Sequence, residues 1–208
     1  MVGGGGGGGV TFVGGSFGLN ISSLTLPAGT QSGDCLLLFG FLVSDNAWKI
    51  DDGETGFTQI FALGGGTEGR IIGQYQFISG TPPSSITGLA NYSDVGYSLT
   101  AWRGVSSSPA PGGSVSGSTV DPPSVTTTTG NAAVVCMALS QFVYAPPVST
   151  SGYTYIHGTS GSGYVSPGVG VAYLLAETAG TYNPGSFGGD YGGGSYTQAA
   201  ATVKLEAA

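Results

Sequence analysis

The sequence predicts an all-β fold: a single jelly-roll or immunoglobulin-like sandwich built from two sequence-related halves. Three observations carry that expectation. Short apolar or alternating runs recur along the chain, divided by Gly, Pro, Ser and Asn clusters that supply positive φ, fixed φ and local side-chain hydrogen bonds. Helical spacing of apolar residues is broken throughout by Gly, Pro or β-branched runs. Finally, short motifs of the first half return in the same order about a hundred residues later, the signature of an internal repeat.

The strand candidates, in chain order, are 10–13, 21–26, 35–43, 57–62, 70–79, 96–103, 124–129, 132–142, 153–157, 169–177 and 197–206. The run 35–43 is apolar apart from Gly40, which suits a strand buried on both faces. Gln74-Tyr75-Gln76-Phe77 alternates, with the glutamines expected toward water and the aromatics toward the core. The pairs Pro82-Pro83, Pro122-Pro123 and Pro146-Pro147 read as connections, because proline cannot donate to a central ladder.

The repeat rests on six collinear anchors. Ser23-Leu24-Thr25 answers to Ser124-Val125-Thr126, Gly33-Asp34 to Gly130-Asn131, and Gly56-Phe57-Thr58 to Gly152-Tyr153-Thr154. Tyr75 answers to Tyr173, Gly80-Thr81 to Gly180-Thr181, and Trp102-Arg103 to Val203-Lys204. The halves are therefore about 20–105 and 121–208, with 106–120, rich in Ser, Pro and Gly, as a flexible linker. Each half is small and glycine-rich, so ordering its backbone is expensive. One sheet per half leaves an apolar face open, and two such faces close one core over residues 10–208.

Composition restricts function. Of 208 residues, 41 are glycine, and four Lys+Arg stand against eleven Asp+Glu, a formal charge of −7. That balance argues against nucleic acid or an anionic membrane as partner. No basic, apolar leader or membrane-length run occurs, so the expectation is a protein made in the cytoplasm. There Cys35 and Cys136 stay reduced; both lie in apolar runs and read as core residues, with a Cys35–Cys136 disulfide as the alternative.

Candidate sites are few. His157, the sole histidine, lacks a G-x-S-x-G elbow or a catalytic spacing, and reads as a strand-end or half-buried side chain whose repeat counterpart lies near Phe61. Asp45, Asp51, Asp52 and Glu54 surround Trp48 and Lys49; they read as a solvated acidic loop, with calcium as the alternative, although EF-hand spacing is missing. Gly3 to Gly9 lack the Gly-Lys-Ser/Thr ending of a phosphate loop, so residues 1–9 read as a flexible arm or a docking arm that orders on a neighbour. Tyr144, Tyr153, Tyr155, Tyr164, Tyr182, Tyr191 and Tyr196 crowd the second half, as core and loop packing or as a glycan- or protein-binding surface. No catalytic, cofactor or metal residues are assigned, and no cofactor is expected.

Several stretches together resemble small β-sandwich proteins encoded in tailed-phage genomes. They are Val10-Thr11-Phe12-Val13-Gly14, Leu24-Thr25-Leu26-Pro27-Ala28, Gly33-Asp34-Cys35-Leu36-Leu37, Ala101-Trp102-Arg103-Gly104-Val105 and Ala199-Ala200-Ala201-Thr202-Val203-Lys204-Leu205. The likeness is collinear over roughly residues 10–208. One departure stands out: Asp45-Asn46-Ala47-Trp48-Lys49 keeps a Trp without the family's usual Pro-Gly pair. The resemblance implies a virion protein, most simply a capsid decoration or cement protein that binds the major capsid or another virion structural protein. A homo-oligomer, by analogy a trimer, is expected. Edges poor in lysine point the same way, because bare edges invite pairing. The alternative is a fibre-tip or receptor/carbohydrate-binding module, which long loops gathered at one end or an aromatic groove would favour.

Overall fold

The computed structural model describes residues 8–42, 56–64, 70–90, 95–117, 120–140, 152–159, 168–187 and 198–207. They form fourteen strands and no helix. The first half holds β1 (Thr11–Leu19), β2 (Ser23–Thr25), β3 (Cys35–Leu42), β4 (Thr58–Gly64), β5 (Arg70–Phe77), β6 (Ser85–Thr87) and β7 (Val95–Arg103). The second holds β8 (Ala110–Gly117), β9 (Val125–Thr127), β10 (Ala132–Ser140), β11 (Thr154–Thr159), β12 (Gly168–Ala176), β13 (Gly180–Tyr182) and β14 (Gln198–Leu205).

Each half winds identically. The first makes an antiparallel sheet in the order β1-β7-β3-β5-β4 and a ribbon β2-β6; the second makes β11-β12-β10-β14-β8 and β13-β9. Read from the other edge, the second order is the first with seven added to every label. The pairings nest, first strand with seventh, second with sixth and third with fifth, as in a rolled-up hairpin. β1 lies against β11 and β4 against β8, so an approximate two-fold along the strands relates the halves.

The bulges repeat as well. Val13 in β1 and Gly112 in β8 are extra residues at the rung where the edge strand meets Trp102 or Val203. Ile60 in β4 and Ile156 in β11 are extra residues on the opposite edges. Tyr75 and Tyr173 face Leu37 and Val135, as the repeat requires. Two anchors shift. On this register Gly33, at φ 91°, answers to Asn131, at φ 55°, one residue from the alignment expected from sequence; both take the left-handed turn before the central strand. Gly80 and Gly180 do not correspond, because three residues join β12 to β13 where seven join β5 to β6.

The central core lies between the two five-stranded sheets and draws on both halves. Cys35, Leu37, Phe39, Phe41, Ile71 and Trp102 meet Val135, Met137, Val171, Ala201, Val203 and Leu205 there. Phe12 stacks with Tyr173 at 5.0 Å and tilts onto Trp102 at 5.1 Å, tying the sheets at one edge. One sandwich therefore holds both halves. Its outer faces are covered too. The β2-β6 ribbon packs Leu24 and Ile86 onto Leu36, Leu38 and Leu99, and Val125 of β9 packs with Ala132, Val134 and Ala176. Every residue of β3 is consequently buried, as its unbroken apolar run predicts.

The covered outer face also corrects the reading of β5. Gln74 is wholly buried rather than turned to water, whereas Phe77 is 37% exposed. The alternation is real, but here both faces of the sheet are interior. The expected linker 106–120 is corrected as well. It contains β8, an edge strand paired with β14 over Ala110–Gly117. Backbone pairing holds that strand despite Pro111 and its small side chains, and an edge is where proline is tolerated. The halves accordingly meet near residue 106.

The sandwich has unlike poles. At one, Leu19, Leu42, Gly64, Arg70 and Val95 end or begin their strands, as do Gly117, Ser140, Gly168 and Gln198 in the other sheet. The long connections 43–57, 141–153 and 183–197 start or finish at this pole. At the other pole the turns are short, and both described ends of the chain are fastened. Val10 N donates to Asn131 O at 2.8 Å, Ser106 N to Glu206 O at 3.0 Å, and Val105 bridges Ala207.

Candidate functional site

His157 sits on β11 directly after the bulge, the position Phe61 holds in β4. The extra residue turns its ring toward the other sheet, where Nε2 lies 2.5 Å from Ser98 Oγ of β7 and the ring tilts against Phe17 at 5.3 Å. Burial depresses its pKa from 6.5 to about 4, so the imidazole is neutral near pH 7. Ser98 is 0% exposed, enclosed between the sheets, and no substrate reaches its hydroxyl. The pair joins two sheets and does not open onto a cleft.

Cys35 and Cys136 are free and buried. They lie on opposite faces of their sheets: Cys35 is in the central core, and Cys136 faces outward with Ala138, Ala172 and Phe187. That separation excludes the disulfide considered from sequence. Burial, with Asp34 adding repulsion at Cys35, lifts both thiols from 9.0 to about 12. Neither is a nucleophile at neutral pH.

Sequence reasoning missed two charged clusters. Asp34, nearly sealed, accepts from the Gln31 N–H at 2.8 Å and takes a two-pronged contact from Arg103 Nε and Nη2, both at 3.0 Å. Arg103 also donates to Gly29 O. In the second half Glu206 accepts from the N–H groups of Thr128 and Thr129, at 2.8 and 3.1 Å, and from both hydroxyls. Lys204 Nζ adds a contact at 2.9 Å. Burial alone raises the Glu206 pKa, but bonds from Thr129, Lys204 and the two backbone amides outweigh it and hold the carboxyl at about 2. Each cluster pins the loop entering a central strand. The Gly-Asp before β3 and the Lys-x-Glu that closes β14 were the available signals.

Tyr153 and Tyr155 lie half-buried against the outer face of the second sheet, and burial raises both phenols. Tyr182 packs beside Tyr153. These three are packing residues on the covered face. Tyr144, Tyr164, Tyr191 and Tyr196 fall outside the described residues, as do Asp45, Asp51, Asp52, Glu54 and Gly3 to Gly7. Of the glycine arm, Gly9 passes so close to Asn131 that a Cβ there would stand 2.5 Å from the asparagine Cβ. Among the described residues, no three His, Cys, Asp or Glu side chains gather to hold a metal, and no helix is long and apolar enough to cross a membrane.

One groove, of about 370 Å³, opens on the outer face of the first half. Phe57, Pro83, Ile86 and Leu89 form its apolar wall, and Gln76, Ser85 and Thr87 supply polar groups. The second half has Tyr153, Leu174 and Tyr182 at the equivalent places, packed onto Val125, Ala132, Val134 and Ala176. No protein-family model, curated protein or solved structure matches the chain.

Proposed function

We propose that the chain is a structural virion protein of a tailed bacteriophage. It binds the particle surface as a decoration or cement protein, its partner is the major capsid or another virion structural protein, and it works as a homo-oligomer, with a trimer favoured. The observation that carries this reading is where the reactive side chains go. Asp34, Arg103, Lys204, Glu206 and His157 are all taken up by internal contacts that brace loops and sheets. What the described molecule offers is a braced scaffold, and the phage resemblance supplies the setting.

The edges bear on how copies meet. No charged residue occurs in β1, β4, β8 or β11, the edge strands of the two five-stranded sheets. Each of the four carries a bulge, which twists an edge away from pairing. The oligomer therefore forms through faces or poles and not by extending either five-stranded sheet. Gold-labelled antibody on purified particles whose genome carries the coding sequence tests the reading. Regular label on heads is expected; unlabelled particles, together with a monomer by sedimentation, would refute it.

A second reading is favoured by the unlike poles: a fibre-tip or receptor/carbohydrate-binding module. Both halves send their longest connections from one pole, the arrangement that places variable segments on a rigid scaffold. Binding of the purified protein to host-cell polysaccharide, with label at tail tips, would select this reading over the first.

A further inference from the structure

We propose that the groove on the first half is a binding site for a neutral sugar ring. The inference deepens the carbohydrate-binding reading and rests on it.

Three observations lead there. The groove has the size of a small-ligand site, and its mixture of apolar wall and a few polar groups is the usual chemistry of one. Among the described residues no charged side chain lines it, so a sulfate, phosphate or carboxylate would find no cation there to offset its lost water. An uncharged occupant suits that lining. The two halves then differ in chemistry at this place. Where the second half has Tyr153, Leu174 and Tyr182, the first has Phe57, Gln76 and Ile86, so one aromatic wall is kept, one ring gives way to an aliphatic side chain and an apolar residue gives way to an amide.

Its rim decides between a phenol and a pyranose. Gln76 offers an amide, able to donate and accept, and Ser85 and Thr87 offer hydroxyls. A tyrosine side chain brings one hydroxyl to these groups; a hexose brings several, on both edges of an apolar ring face. Phe57 supplies the apolar wall for that face. Gly88, at φ 84°, turns the chain just after Thr87 and keeps the rim free of a further side chain.

The test is an amide NMR titration of the full chain with the methyl glycosides of glucose, galactose, mannose and N-acetylglucosamine, beside a blocked Gly-Tyr-Gly peptide. At least one sugar should shift the amides of Phe57, Gln76 and 85–89, with a Kd on the order of 1 mM. Two variants follow. Gln76→Leu with Ile86→Tyr copies the second half and should abolish the shifts. Ser85→Ala with Thr87→Ala keeps the fold, as a melting curve will show, and should weaken binding about tenfold through lost hydrogen bonds. Shifts by the peptide in place of the sugars overturn the proposal, as does silence from every sugar. Binding of host polysaccharide is measured separately. If polysaccharide binds while the groove amides stay still, this site is wrong and the carbohydrate reading stands. If neither responds, both fall.

Discussion

The two halves share a winding order and equivalent bulges, yet they brace the same loop from different strands. In the first half the carboxylate is Asp34, just before the central strand β3, and its cation Arg103 arrives from β7. In the second, Asn131 stands before β10 and Ala132 begins it, and the carboxylate arrives from beyond β14 as Glu206, with Lys204 two residues away. The difference teaches that the loop needs an anion beneath it and not a particular strand to supply one. Backbone pairing fixes the topology, and side-chain chemistry migrates within it. The central ladder shows the same freedom. Trp102 faces Cys35, whereas Val203, its counterpart at the bulge rung, faces Val135; on the register of the central strands, β14 has slid two residues along β10. A shift of two preserves which face each side chain takes.

The strongest way to break this equivalence is at the bulge rung. Trp102→Ala removes the largest fully buried side chain among the described residues, with its contacts to Phe12 and Tyr173, and should cost about 3–5 kcal/mol by urea unfolding. Val203→Ala should cost clearly less, since a smaller cavity is left.

Next comes acid. His157 has its pKa lowered on folding, so the unfolded chain takes up the proton first. Its contribution is whole above pH 6.5 and is lost as pH falls toward 4, on the order of 3 kcal/mol in all. Replacing it with the residue that the equivalent strand β4 uses, His157→Phe, should flatten stability across that window. Glu206 acts lower: its contribution is present above 4.5 and fades as pH falls toward 2. Equilibrium unfolding at stepped pH separates the two phases.

Smaller effects sharpen the comparison of the braces. Asp34→Ala and Glu206→Ala should each lose about 2 kcal/mol, read by denaturant titration, because part-buried N–H groups lose a charged acceptor. Equal losses would show the braces equivalent despite their different strands. Gly104→Ala forces a side chain into φ 80° and places Cβ 2.7 Å from Gly9 O, and should lower stability by roughly 1–2 kcal/mol. Least affected are Phe77 and Leu175, which occupy one repeat position and are 37% and 44% exposed. Serine at either should change the melting midpoint little, within about 0.5 kcal/mol.

Much of the fold was legible because turn chemistry and apolar runs are local. Gly56 and Gly152, both at positive φ, open β4 and β11 where the repeat placed them. The apolar stretch of β3 announced a strand buried on both faces, and that of β10 announced a strand. What escaped notice depends on distant partners. β8, β6 and β13 are short or side-chain-poor and exist because a neighbouring strand offers its ladder. Gln74 read as solvent-facing because the ribbon covering it is about ten residues further on in the chain and no local pattern announces that cover. The site was less legible than the fold. Ser98 and His157 are far apart in sequence and meet only through the stacking of two sheets, and the groove forms only where Phe57, Gln76 and 83–89 are brought together.

The four bulged borders carry a consequence for crowding. Each five-stranded sheet is bordered on both sides by a bulged strand. An extra residue bends the border and leaves one group out of register, so a second copy brought alongside would meet a broken ladder and not a flat template. Uncharged borders are thereby blunted by backbone shape where other sheets use lysine.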